Sequence, residues 1–272
     1  RPYHELVGLN AGLDFETKIL VKHDAPELFR DFLARKNWDP QLIAFSGITD
    51  CYQPCEREFQ LTRQCLEIAA TYKQPIGIIT KNALVVRDLD LLAAMAKQKL
   101  VSVNISLITL DVELSREMEP RTSTPAARLR AISELSAAGI PTQVMLAPVI
   151  PGLTDSEIPA VLGAAKESGA YSAGFGLLRL PMTVKPVFLE WLSRTQGDRA
   201  TRVQQRIRQT RDGQFDQSEF GKRMLGTGEI AKQIRSVFQV FAKKYGLDHC
   251  LPQLRYDLFK SPPDSSGQMK LF

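Results

Sequence analysis

The sequence is poor in the residues on which disulfide, zinc and membrane readings are built. Its 272 residues hold four cysteines (Cys51, Cys55, Cys65, Cys250), three histidines and two tryptophans. Four thiols in a chain of this length do not make a disulfide scaffold, and they fit a reduced, cytoplasmic setting better than secretion. No apolar run approaches the ~20 residues that span a bilayer, and no signal-peptide pattern opens the chain, so no membrane partner is expected. There is no Gly-x-Ser-x-Gly elbow and no phosphate-binding glycine loop; Gly174-x-Gly176 lacks the rest of that pattern and sits in a strand-like run. An initiator methionine is missing too. The chain starts Arg1-Pro2-Tyr3-His4-Glu5, which reads as interior sequence and predicts more sequence upstream.

What is present is ordinary soluble composition, 44% hydrophobic and 24% charged, with a formal net charge of +5. That balance permits an anionic substrate or nucleic acid and requires neither.

Short apolar runs recur at near-regular spacing. Leu42 to Ser46, Ile76 to Thr80, Val101 to Ile108, Thr142 to Ile150 and Ser172 to Leu180 read as buried strands, four of them separated by single short helices. Such repetition predicts parallel strands with crossover helices. Residues 14–22 read as a further strand or extended segment, 56–73 as one helix, and 109–123 as a long polar loop. Thr124-Pro125 is a helix start, and Gly139 and Gly169 are helix stops. A closed eight-unit barrel needs about 250 residues of continuous pattern. Here the pattern fades near residue 181, so a partial barrel or open sheet is expected. The division predicted is a barrel-like unit over 1–186 and a helical extension over 187–272 packed on it, with a loose tail at 261–269.

Ligands of such sheets collect at the C-terminal ends of the strands. The polar residues predicted there are Thr49, Asp50, Lys81, Asn104, Ser106, Arg121 and Arg179, beside Pro148 and Pro151. Gathered into one pocket, an Arg and a Lys with an Asp would suit a zwitterionic or carboxylate-bearing ligand. The plain alternative is that Asp50 and Asn104 satisfy loop backbone while Lys81 and Arg121 are solvated charges. Cys51-x3-Cys55 followed by Cys65 is a weak metal pattern, and buried inert thiols are the better reading for Cys65 and Cys250. The arginines at 194, 199, 202, 206, 208 and 211 could face nucleic acid, but aromatic interleaving is poor and Asp198 and Asp212 dilute them. A solvated helix face is the leading reading.

Taken together, several segments resemble a bacterial family of radical S-adenosylmethionine (radical SAM) proteins distantly related to spore photoproduct lyase. They are His4-Glu5-Leu6 with Gly12 through Ile19, Thr49-Asp50-Cys51-Tyr52-Gln53-Pro54 with Glu56, Thr80-Lys81-Asn82, Arg87 through Leu92, Glu119-Pro120-Arg121-Thr122 and Pro148 through Asp155. The resemblance implies an α/β fold, a partial (β/α)6 TIM-like barrel, lacking its first strand in this chain. It also implies a four-iron four-sulfur (4Fe-4S) cluster on a loop expected upstream of Arg1, so that none of the cysteines present is a metal ligand and this chain alone is inactive. For S-adenosylmethionine it implies that Ser46, Gly47, Thr49 and Asp50 hold the amino group. Asn104 and Ser106 would lie near the ribose and carboxylate, with Arg121 as a carboxylate partner. Val149 and Ile150 begin the segment packed on the adenine, and Tyr52, Lys81 and Arg179 stand at the mouth. The implied activity is generation of a 5′-deoxyadenosyl radical, with an external one-electron reductant and an unnamed substrate. The rival expectation is a non-catalytic nucleic-acid-binding module on the same scaffold.

Overall fold

The computed structural model describes residues 5–10, 12–46, 49–216, 219 and 223–260. Gly47 and the predicted loose tail lie outside them.

Five parallel strands form one sheet in sequence order: β1 (Ile43–Phe45), β2 (Ile76–Thr80), β3 (Val101–Ser106), β4 (Thr142–Val149) and β5 (Ser172–Leu177). All five begin and end within a few residues of the sequence reading. Sequential order without reversal sends every C-terminal end to the same edge, the arrangement expected of a partial TIM-like barrel.

Side-chain alternation divides the sheet's faces. Ile76, Ile78, Val101, Val103, Ile105, Val144 and Leu146 are buried in the main core beneath the helices. Residues of opposite parity are smaller or more polar, among them Gly77, Ser102, Asn104, Ser106, Gln143 and Gly174. On that face Ile79 is 37% exposed, so it is not packed over. The faces are therefore unequal, one a dry core and the other an open concavity.

The helices are α1 (Leu13–Thr17), α2 (Ala25–Leu33), α3 (Glu56–Phe59), α4 (Leu61–Tyr72), α5 (Leu89–Lys97), α6 (Val112–Met118), α7 (Pro125–Ala137), α8 (Ile158–Glu167), α9 (Val184–Gln196), α10 (Arg199–Gln209) and α11 (Gly228–Lys244). Of the strand or extended segment expected at 14–22, the first part is helix α1 and only the stretch after Thr17 is non-helical. Asn10 explains this, because its side chain accepts from the Gly12 and Asp14 amides while the Asp14 carboxylate accepts from the Asn10 amide. Such reciprocal capping starts a helix. The single helix expected at 56–73 is two, broken at Gln60 with φ 50°. The Glu56 carboxylate accepts from the Thr62 amide 3.0 Å away, so the first helix caps the second. The loop expected at 109–123 contains α6, whose start is capped by Asp111 accepting from Glu113 and Leu114.

Pro186 lies in the first turn of α9, where no amide donor is needed. The helical, basic stretch of 187–211 is divided at Gly197, φ +43°. Helices α9 and α10 form a second core with Leu114, Ile150, Leu178, Leu180 and Phe215, which follow β3, β4 and β5. This core therefore roofs the strand ends on that side. Helix α11 instead joins the main core, with Phe238 stacked on Phe175 of β5 at 4.8 Å.

Candidate functional site

The loop after β1 is tied down at Asp50. One carboxylate oxygen accepts from the Tyr52 amide (2.9 Å) and the Thr80 hydroxyl (2.6 Å), and the other from the Lys81 amide (2.7 Å). Asp50 thus links its own loop to the end of β2. The bland alternative weighed from sequence, a carboxylate satisfying loop backbone, describes its contacts. Beside it Ser46, at φ 142°, donates to the Thr49 carbonyl.

Ser46, Thr49 and Asp50 line a cavity of about 330 Å³ next to β1. Its other walls are Ile19 to Lys22, Phe45, Phe59 and the thiol-bearing residues Cys51, Cys55 and Cys65. Burial pushes the Cys51 thiol well up, with Asp50 adding to it, and raises Cys55 likewise. Cys65 is pushed up to about 11, by burial and then by Glu56. Among the described residues no group of three or more His, Cys, Asp or Glu side chains could hold a metal ion. The three cysteines therefore do not fit an iron–sulfur cluster.

The other predicted residues stand apart from that cavity along the strand ends. Asn104 donates its side-chain amide to the Ile78 carbonyl at 3.1 Å and keeps its own carbonyl oxygen for other partners. Ser106 is buried, and its backbone carbonyl accepts from Arg128 at 2.8 Å. Arg121 is exposed at φ 74°, the left-handed region that a residue with a side chain enters at a cost. Val149 and Ile150 are buried in the main and second cores, and their backbone is engaged as well: the Val149 carbonyl accepts from the Leu178 amide, and the Ile150 amide donates to the Thr154 hydroxyl at 2.9 Å.

Of the three residues expected at the mouth, Tyr52 is not there. It is fully buried, donating to Asp88 at 3.0 Å, because the ring fills the main core while its hydroxyl finds a carboxylate. Burial, followed by Asp88, raises its pKa, so that hydroxyl remains a donor. Lys81 and Arg179 are part-exposed as expected, but each is engaged. Lys81 pairs with Glu119, and Arg179 with Asp216 at 3.1 Å.

Two fully buried arginines were missed by the sequence reading as site-organising residues. Arg128 donates to the carbonyls of Ser106 and Ser123, to Glu119 at 2.7 Å and to the Thr122 hydroxyl at 2.6 Å. Burial alone would raise the Glu119 pKa, but Lys81 and Arg128 hold it below the usual carboxylate value. Arg211 donates to the carbonyls of Leu177, Leu178 and Arg223, closing the end of β5. Arg128 sits within α7 and Arg211 just past the end of α10, and both look solvated in sequence. A carbonyl-rich strand end in need of donors is the signal, and it is a tertiary one.

The basic run of 194–211 is not a continuous face. Arg211 is buried, Arg206 pairs with Asp155 at 3.6 Å, Arg208 lies over Phe215 and Arg194 pairs with Glu190.

Comparison with known proteins bears on the family and the fold. The model of the Radical SAM superfamily matches residues 16–165. An uncharacterized protein of Mycobacterium tuberculosis is 37% identical over 210 residues, covering 76% of this chain and 62% of that protein. An uncharacterized protein of Methanocaldococcus jannaschii is 28% identical over 148 residues, covering 54% of this chain and 53% of that protein. The chain thus spans less than two thirds of the length of these curated relatives. A solved structure of a spore photoproduct lyase mutant with bound AdoMet and dinucleoside spore photoproduct is similar at a TM-score of 0.60 and 14% identity. That match covers 82% of this chain and 64% of the other, and at such identity it speaks for the fold. No helix among the described residues is long and apolar enough to cross a membrane.

Proposed function

We propose a function from one premise, that the chain belongs to the radical SAM superfamily: it holds S-adenosylmethionine along the C-terminal edge of its sheet, as part of an enzyme that uses the cofactor as a radical source. The observation carrying this reading is the gathering of polar strand ends on one edge of an all-parallel sheet. The donor set suits the cofactor chemically. The loop backbone at Ser46 and Thr49 offers carbonyls to an ammonium group, the Asn104 carbonyl and Ser106 hydroxyl suit ribose hydroxyls, and the exposed Arg121 suits a carboxylate.

When bound and reduced, the cofactor supplies a 5′-deoxyadenosyl radical that takes hydrogen from a substrate. The protein's share is ligation, orientation and exclusion of water. Lys81 and Arg179, each held by a carboxylate, are placed to order the mouth rather than to move protons. The cysteines described do not fit the cluster.

Calorimetric titration of S-adenosylmethionine into the anaerobic full-length gene product tests this reading. Saturable binding is expected, weakened about tenfold by Asn104→Leu through loss of a polar contact. No binding by the native protein would overturn it. Retention on duplex DNA falling steeply with salt, without cofactor binding, would favour the nucleic-acid module instead.

A further inference from the structure

Beneath the loop after β1, hydrogen bonds close into a ring. The Thr62 hydroxyl donates to the Cys51 carbonyl, and the Thr62 amide donates to the Glu56 carboxylate at 3.0 Å. Arg87 donates to the Glu56 carbonyl and, through Nε and Nη2, to the Asp88 carboxylate at 3.0 and 2.8 Å. The Tyr52 hydroxyl donates to Asp88 at 3.0 Å, and Tyr52 follows Cys51, which closes the circuit. Arg63 adds a bond to Asp88 at 3.1 Å from outside the ring.

The ring has no slack where it matters. Tyr52 and Asp88 are fully buried and Glu56 is 6% exposed. A buried carboxylate shared by two guanidinium groups and a phenol is strongly directional, since each donor lost leaves charge uncompensated. Three ring members, Cys51, Glu56 and Thr62, form a wall of the cavity that Ser46 and Thr49 enter. Loop position and cavity shape are therefore set by the same bonds. None of these groups is needed to fill the core as such: a phenylalanine would occupy the space of Tyr52.

We propose that Asp88 is a positioning residue, acting through Tyr52 and the ring to hold the loop after β1 where Ser46 and Thr49 face the cofactor. This deepens the functional reading above and rests on it. Asp88 touches no ligand; its effect passes through the Tyr52 hydroxyl to the backbone of Cys51 and Thr49.

The test reads loop position and cofactor affinity separately, in the full-length protein. Cys51 is partly buried and its thiol donates to the Phe45 carbonyl at 3.5 Å, so a change in its rate of alkylation by N-ethylmaleimide, followed by peptide mass spectrometry, reports loop opening. Exposed Cys250 is the internal reference. Tyr52→Phe removes one hydroxyl and keeps the ring's packing; it should speed Cys51 labelling about tenfold, leave Cys250 unchanged, and weaken S-adenosylmethionine binding by a similar factor. Asp88→Asn should act in the same direction, and Tyr52→Phe remains decisive should that variant fail to fold. Unchanged Cys51 labelling in a folded Tyr52→Phe protein would overturn the proposal. So would faster labelling with unaltered cofactor affinity, because a purely structural bond leaves affinity alone well below the melting temperature. Failure of the native protein to bind the cofactor removes the functional reading and the cofactor half of this inference with it, and the labelling result tells the two failures apart.

Discussion

Glu119 shows how one residue can organise two strand ends. Its two carboxylate oxygens hold Lys81, next to β2, and Arg128, which in turn holds the last carbonyl of β3. Removing it strands the fully buried Arg128 guanidinium, so Glu119→Gln should cost about 3 kcal/mol in urea unfolding at neutral pH. The acid limb has a definite sign. Because the folded pKa of Glu119 lies below its unfolded value, the stability it contributes is present above the ordinary carboxylate pKa and is lost as pH falls through the lowered folded value. The glutamine variant should show a shallower loss of stability over that acid range than the native protein; parallel curves would contradict the assignment. Two residues on, Arg121 occupies φ 74° after Pro120, the geometry of a turn that favours glycine. Arg121→Gly should therefore raise stability by about 1 kcal/mol while weakening the proposed carboxylate contact. A loss of stability would mean that the arginine side chain itself packs.

At the scale of elements, capping residues decide where chains turn, and this is where sequence was most and least informative. Thr124-Pro125 announced α7 correctly, and the Thr124 hydroxyl accepts from the Ala127 amide at 3.3 Å. Thr124→Ala should cost about 1 kcal/mol, with Thr124→Ser nearly silent, by thermal or urea melts. Five strands were legible because each is short and carries a run of apolar residues at alternate positions, bounded by polar or turn residues, a pattern readable one residue at a time. Helix α1 and the break at Gln60 were not, because Asn10 pairs with Asp14 and Glu56 with the Thr62 amide through side-chain bonds that leave no hydrophobic period. The candidate site was half legible for a similar reason. Strand ends predicted Asp50, Lys81, Asn104 and Ser106, but the partners that occupy Asp50 and Lys81, and the burial of Tyr52, belong to contacts 30 or more residues apart.

For the whole molecule, the two larger of its three cores carry different duties. The main core seals the outer face of the sheet, and α11 is part of that seal through Ala231, Ile234, Phe238 and Ala242. Phe238→Ala should destabilise the protein by about 3 kcal/mol, as aromatic truncation in a packed core does; a cost under about 1 kcal/mol would show α11 to be an appendage. The second core roofs the ends of β3 to β5, while the ends of β1 and β2 keep the cavity and the tied loop. Under the proposed function this asymmetry gives the cofactor a side from which to approach, with the Tyr52–Asp88 ring beneath the open half.

The central claim, cofactor use at the C-terminal strand edge, is tested most directly by product formation. The full-length gene product, reconstituted anaerobically with iron and sulfide and given dithionite and S-adenosylmethionine, should release 5′-deoxyadenosine, with the yield falling in Asn104→Leu at limiting cofactor. Absence of 5′-deoxyadenosine from a protein that has taken up its iron would contradict the account and leave the superfamily match as a statement about descent and fold.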